Sequence, residues 1–295
     1  MRTLGGSART TTTTAGASAT ALVTTALLAA CGAPDGTDGT PGDGAVEYEV
    51  VAGFEERDGG GVVLCIGPMP AIYPAPPCGG PRVDGLDWDD VPGATTVDGT
   101  TSGRGYLVGT YADRTLTLTR TPAAEPPGSA APSDEWGTVS FDALCTDPWR
   151  GGDEAAAAEP EAAEAQNDLV AAAAALPGYV TTYVSDGAQQ LNVVVSADEG
   201  DADAAHASLR EVWPGWLCVA EKDLPTSQDV AAAQSAVHGS DGVSGVMSSG
   251  SGVDGVLAVD VEVADTATVA AIEEAVSPWL TPAQVRVTGA LRPVS

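Results

Sequence analysis

Apolar positions change their period along this chain, and the changes mark its parts. Val46–Val51 and Gly61–Cys65 are short apolar runs on either side of a polar, glycine-rich turn around Glu56–Gly60, which predicts two strands. Tyr106–Tyr111 and Thr115–Arg120 predict a second pair across a turn at Ala112–Arg114. Leu116 and Leu118 alternate there with Thr115, Thr117 and Thr119, a period of two. Between the pairs, Gly67–Ser102 is rich in Pro, Gly and Asp and reads as irregular. Residues 45–121 are therefore expected to form a small all-β domain, a barrel or a sandwich. Residues 122–135 (TPAAEPPGSAAPSD) cannot form a core and read as a linker.

Helical spacing begins after residue 136. A strand is expected at Thr138–Phe141, then an Ala-rich helix over Glu161–Ala175 stopped by Pro177 and Gly178. Strands follow at Tyr179–Val184 and Leu191–Ser196, a helix at Ala202–Val212 and a strand at Trp216–Ala220. The order then recurs: helix Gln228–Val237, strands Val243–Ser248 and Val256–Val263, helix Thr266–Val276, strand Gln284–Leu291. Two αββαβ blocks, 161–220 and 226–291, thus lie roughly 64 residues apart, the mark of an internal repeat. LNVVVSAD at Leu191 parallels LAVDVEVAD at Leu257, and PGWL at Pro214 parallels SPWL at Ser277. With the strand near Val139 the first block reads βαββαβ, the ferredoxin-like order. The expected fold is α+β: a small N-terminal β-barrel or sandwich, then an α+β domain over 136–295 built from tandem ferredoxin-like units.

The N-terminus has a different character. Arg2 and Arg9 precede a short apolar run through Ala21–Leu28, and Ala29 and Ala30 precede Cys31. A positive start, an apolar middle and small residues before a cut describe an export signal over residues 1–30. Leu28-Ala29-Ala30-Cys31 matches the lipobox of bacterial lipoprotein precursors, which implies acylation of Cys31. Each buried methylene adds about 0.8 kcal/mol of membrane affinity, and two or more acyl chains give stable anchoring. Residues 31–44, dense in Gly, Pro, Asp and Thr, read as a flexible tether. The expected location is the extracytoplasmic face of the cell membrane, with a lipid anchor.

Removing residues 1–30 takes away two arginines and no acid, leaving 10 basic and 41 acidic residues and a net charge of −31. Such a surface repels nucleic acid, so nucleic acid is not an expected partner. With Cys31 committed to lipid, four cysteines remain, Cys65, Cys78, Cys145 and Cys218, which allow three pairings. Cys65–Cys78 would close a short Pro-rich loop, and Cys145–Cys218 would tie neighbouring strands of the ferredoxin order. That pairing is the expectation. There is no CxxC spacing, which argues against a metal-thiolate site.

Candidate chemistry is sparse. Gly250–Gly255 fits GxGxxG, but a strand follows it where a dinucleotide site needs a helix, so these glycines are expected to serve a hairpin. No cofactor and no metal ligand set is indicated. His206 and His238 lie in expected helices amid alanines, and His206 reads as a surface residue. Asp87-Trp88-Asp89-Asp90 is the most distinctive polar cluster. Its tryptophan and carboxylates could hold a sugar or a cation, or could form a turn with Trp88 covering the barrel.

LCIGPMPAIYPAPPCGGPRVDGLDWDDVPG at Leu64 and GYLVGTYADRTLTLT at Gly105 resemble a family of uncharacterised actinobacterial exported lipoproteins. The resemblance continues in LPGYV at Leu176, LNVVV at Leu191, VWPGWLCV at Val212 and VRVTGALRPV at Val285. It implies no catalytic residue. The leading expectation is a non-enzymatic envelope lipoprotein that touches the membrane through the lipid on Cys31 and binds an envelope protein or ligand. Its rival is an envelope hydrolase using carboxylates near Asp87–Asp90, with calcium-dependent stabilisation a third reading.

Overall fold

The computed structural model describes residues 46–70, 72, 75–127, 141–158, 162–185 and 190–294, which fall in one compact unit, Gly44–Ser295. The export signal, Cys31, the tether, linker residues 128–135 and the first three residues of the expected strand at Thr138–Phe141 lie outside the described residues.

The β-rich part begins with β1 (Glu47–Arg57) and β2 (Val62–Cys65), paired antiparallel. Next come β3 (Arg82–Asp84), a 3-10 turn at Trp88–Asp90, β4 (Thr95–Val97), β5 (Thr100–Ala112) and β6 (Thr115–Leu118). β1 also pairs antiparallel with β5 along its whole length, from Glu47↔Thr110 to Arg57↔Thr100. The ring β1-β2-β3-β6-β5 therefore closes on itself as a five-stranded barrel-like sheet. Period-two alternation aims Val50, Ala52 and Phe54 of β1 inward, where Leu64, Leu107 and Leu116 meet them. Gly103 on β5 lets Phe54 and Trp88 close over the strand. A Cβ there would stand 3.1 Å from the Phe54 ring and 3.3 Å from Trp88.

Two units of the same element order follow the short helix α1 (Glu154–Ala157). The first is α2 (Ala162–Ala174), β7 (Tyr179–Val184), β8 (Leu191–Ser196), α3 (Ala202–Arg210) and β9 (Leu217–Lys222). The second is α4 (Ser227–Gly239), β10 (Val246–Ser251), β11 (Leu257–Val263), α5 (Thr266–Val276) and β12 (Val285–Pro293). In each, the first two strands pair antiparallel and the last two parallel. Aspartates start the helices: Asp201 accepts from Ala204 N–H, Asp265 accepts from Thr268 N–H, and Thr226 with Asp229 forms a capping box. Part of the chain's acidity thus sits at helix N-termini, where the peptide dipoles favour it.

The two units match in topology, but the described strands do not take the ferredoxin-like order. In that order the first strand lies between the two that the last helix connects. Here β8 pairs directly with β9, and β11 with β12, so that middle place does not exist. The segment before the first unit instead borders β9 without forming a ladder: Leu217 N–H donates to the Pro148 carbonyl, and Pro148 itself has no N–H to give. In the second unit the outer edge of β12 pairs antiparallel with β1, at Tyr48↔Pro293 and Glu49↔Arg292. A single nine-stranded sheet therefore runs from β10 through β12 into the barrel. Leu291 of β12 is buried in the barrel core itself.

Candidate functional site

The cluster Asp87–Asp90 takes the structural form. Asp87 caps the 3-10 turn, its Oδ1 accepting from Asp89 N–H at 3.0 Å. Trp88 lies on the barrel with its ring 5.6 Å from that of Phe54, and its indole N–H donates to Glu56 at 2.7 Å. Asp89 and Asp90 are exposed, and neither cleft described below is lined by any of the four. Gly250–Gly255 lies at the turn between β10 and β11, with Gly255 at φ +70°.

Both expected disulfides form, Cys65–Cys78 and Cys145–Cys218. Such bonds persist in oxidising compartments, so they point to an extracytoplasmic location. Among the described residues no helix is long and apolar enough to cross a membrane. The first disulfide pins the Pro-rich loop after β2, and Glu55 holds the loop from the other side. Its Oε1 accepts from Cys78 N–H at 2.8 Å and from Arg57 Nε at 2.8 Å, while Arg57 Nη2 donates to the Pro76 carbonyl. Burial raises the Glu55 pKa, but the Arg57 and Cys78 donors outweigh it, so the carboxyl sits below its ordinary value. Glu55, Cys65 and Cys78 have ligand-type atoms within 4.8 Å of one another, yet the two sulfurs are bonded to each other and so closed to a metal.

That loop walls a cleft of about 310 Å³. Ile66, Pro68, Met69 and Pro77 line one side and Met247 of β10 the other, with Arg114 and Glu262 among its polar lining. Glu262 of β11 is only 6% exposed. It accepts from Tyr111 OH at 2.8 Å and from Arg114 Nε at 3.0 Å, with a second bond from Arg114 Nη2. The same Nη2 donates to the Gly79 carbonyl at the end of the Pro-rich loop. Burial first, and then the bond to Glu262, push the Tyr111 hydroxyl above its ordinary pKa. The Glu262 carboxylate likewise raises the Arg114 guanidinium. One buried carboxylate therefore gathers the β5–β6 turn, the Pro-rich loop and the second αββαβ unit. This is the charged centre of a recess whose wall mixes Pro, Met and Ile side chains with polar groups.

The sequence reading missed this group. Its one local signal is the turn Asp113-Arg114, where both residues stand at positive φ, +50° and +55°. A two-residue hairpin turn ordinarily carries Asn-Gly or Asp-Gly at these positions. A bulky Arg at positive φ marks a side chain kept for its contacts.

A second cleft, of about 240 Å³, lies in the first αββαβ unit. Cys145, Cys218, His206, Arg150, Asp147 and Asp203 line it. His206, expected at the surface, is 7% exposed because α3 turns this face toward β9, and its Nε2 has no hydrogen-bond partner among the described residues. Burial, then the nearby Arg150 and Arg210 guanidinium groups, depress its pKa, against a smaller opposing effect of Asp203. Arg150 meets Asp203 only at 3.3 Å and in solvent. Arg210 donates to the carbonyls of Arg150, Pro148, Trp213 and Gly215, which fixes the segment before α1 against the end of α3. Behind the disulfide is a buried amide network. Gln190 Nε2 donates to Asn192 Oδ1 at 3.1 Å and to Cys218 Sγ at 3.0 Å, and Asn192 Nδ2 donates to Ser185 Oγ at 2.6 Å.

No protein-family model, no curated protein and no solved structure matches the chain.

Proposed function

We propose that this protein is an envelope lipoprotein, held at the outer face of the cytoplasmic membrane by acyl chains on Cys31, whose folded part binds a ligand or partner at the cleft beside Glu262 without catalysing a reaction there. The lipobox-like Leu28–Cys31 and the resemblance to exported actinobacterial lipoproteins support the anchoring. The two disulfides support the compartment. The binding reading is carried by one observation, the cleft in which the buried Glu262 carboxylate holds the largely exposed Arg114 guanidinium among Pro, Met and Ile side chains. The two αββαβ units, alike in strand order and sense, are read as duplicates of one module whose second copy contributes a wall of this cleft.

Two measurements test the reading. The Cys31→Ser chain is expected to leave the membrane fraction and to mature at a different mass. An unchanged partition and mass would remove the anchor. A photo-crosslinking residue at Met247 is expected to capture one discrete species in intact cells, where the same residue at exposed Val97 on β4 captures none above background. Equal capture at both positions would remove the cleft as the binding place.

A further inference from the structure

Of the two disulfides, Cys145–Cys218 lines a cleft, and its two sulfurs stand in unlike surroundings. Cys145 is half-buried on the strand-free segment before α1. Cys218 is 1% exposed on β9, and Gln190 Nε2 donates to its Sγ at 3.0 Å. An amide donor aimed at sulfur stabilises a thiolate far more than it does a disulfide sulfur, since a bond to the charged form is the stronger one. The same cleft holds the buried imidazole of His206, whose Nε2 is without a partner among the described residues. A buried polar atom left unbonded in a native fold asks for an explanation.

We propose that this cleft admits a small thiol and that Cys145–Cys218 is a thiol–disulfide exchange site, with Cys145 the sulfur attacked, Cys218 the leaving group and His206 the base. In the exchange the thiol S–H gives its proton to His206 Nε2. The resulting thiolate attacks Cys145 Sγ, a new S–S bond forms there, and the Cys145–Cys218 bond breaks. Its electron pair leaves on Cys218 Sγ, beside the Gln190 amide, and the imidazolium then returns the proton to that sulfur. The incoming thiol is oxidised to one half of a mixed disulfide and the protein disulfide is reduced, so no further reactant enters. Burial first, and then Arg150 and Arg210, favour the neutral form of His206, the form that accepts a proton, and the two guanidinium groups also favour an incoming thiolate. Asp203 and Asp147 face the same cleft and oppose them in part. A cleft of about 240 Å³ has room for a thiol of amino-acid size.

The test uses the full chain in detergent with L-cysteine as the thiol, an acid quench, and peptide mapping without reduction. The expected first product near pH 7 carries the added cysteine on Cys145, with Cys218 free and Cys65–Cys78 still intact. A free thiol is only a few per cent ionised near pH 7, so a base in the cleft matters there and not at about pH 9.5. His206→Gln is accordingly expected to slow exchange about tenfold near pH 7 and to leave it unchanged at about pH 9.5. A comparison within the parent molecule needs no variant. On going from about pH 9.5 to 7, exchange at Cys145–Cys218 should slow less than exchange at Cys65–Cys78. Addition at Cys218 in place of Cys145, equal pH dependence of the two bonds, or a variant equally slow at both pH values would each overturn the proposal.

Discussion

Glu262 carries more of the molecule's organisation than any residue of the conspicuous acidic cluster. Asp87–Asp90 drew notice because Trp stands among three acids, yet Trp88 packs on Phe54 and Asp87 caps its own turn. Glu262 drew none because it sits in LAVDVEVAD, where strand alternation gives no reason to single out one acid among many. What distinguishes it is tertiary: Tyr111 and Arg114 lie about 150 residues away in the chain, and sequence periodicity holds no information at that range. His206 is a parallel case. Alanines around it gave no sign of which helix face β9 would cover. Glu262→Gln keeps the shape and removes the charge. It should cost about 1–2 kcal/mol, since a bond to a charged group is lost but Arg114 is 62% exposed and regains water. The Tyr111 hydroxyl should also ionise at lower pH than in the parent, moving only part of the way, because burial is the larger cause of its raised value. A tyrosine whose folded-state value lies above the unfolded 10.0 leaves stability whole below that pH and withdraws it as the pH rises beyond. The variant should therefore lose less of its stability above about pH 10 than the parent does. Phenolate absorbance followed through an alkaline titration reads the effect, and superimposable curves for parent and variant would refute this account of Tyr111.

Elements were legible where local pattern and capping agreed. α5 begins at Thr266 behind the Asp265 cap and ends at Val276, as the spacing of Val269, Ile272 and Val276 implies. β7 and β8 also fall where alternation and the Pro177-Gly178 stop place them. By contrast β3 and β4 are three residues each and lie in a Pro/Gly/Asp-rich stretch, so neither has enough positions to show a period. β3 exists because β2 and β6 offer it ladders on both sides, which is a property of the closed ring and not of Arg82–Asp84. The ferredoxin expectation failed for a related reason: the αββαβ order does not say which strand stands beside β8, and direct pairing with β9 took the place. Arithmetic left three disulfide pairings; the short Pro-rich loop pointed to Cys65–Cys78, and Cys145–Cys218 forms although the ferredoxin order that argued for it does not. The two bonds should differ in weight. Cys65–Cys78 spans 13 residues and Cys145–Cys218 spans 73. On loop entropy alone, replacing the first pair by alanines should cost about 3 kcal/mol and the second about 4.4 kcal/mol. Urea unfolding of both double variants gives the comparison. A larger loss from the short loop would mean that Glu55 and Arg57, which already grip it, make the bond a matter of native geometry instead.

At the scale of the whole chain, the two αββαβ units end in different company although they share one topology. In each, the last strand leaves an edge that needs a partner. β9 meets the segment that carries Cys145, while β12 meets β1 of the barrel. The first unit keeps its own three-stranded sheet and a core of Leu169, Leu191, Val193, Leu209 and Leu217. The second unit has its own core around Leu257, Val259 and Ile272, but it also lends Leu291 to the barrel, where that side chain is 1% exposed beside Val50 and Phe54. Sheet continuity, the shared Leu291 and the Glu262 bonds to Tyr111 and Arg114 all join the barrel to the second unit. They predict that these two open as one cooperative body and that the first unit opens separately. Leu291→Ala tests this at a single atom group. A buried leucine cut to alanine costs about 2–5 kcal/mol. If the join is cooperative, native-state hydrogen exchange should quicken by a matching factor in β1, β5, β11 and β12 together, and protection in β7–β9 should hold. Were the barrel amides alone to quicken, Leu291 would be a guest in an independent barrel. Were β8 to quicken with them, the first unit would be coupled to the rest despite its separate sheet.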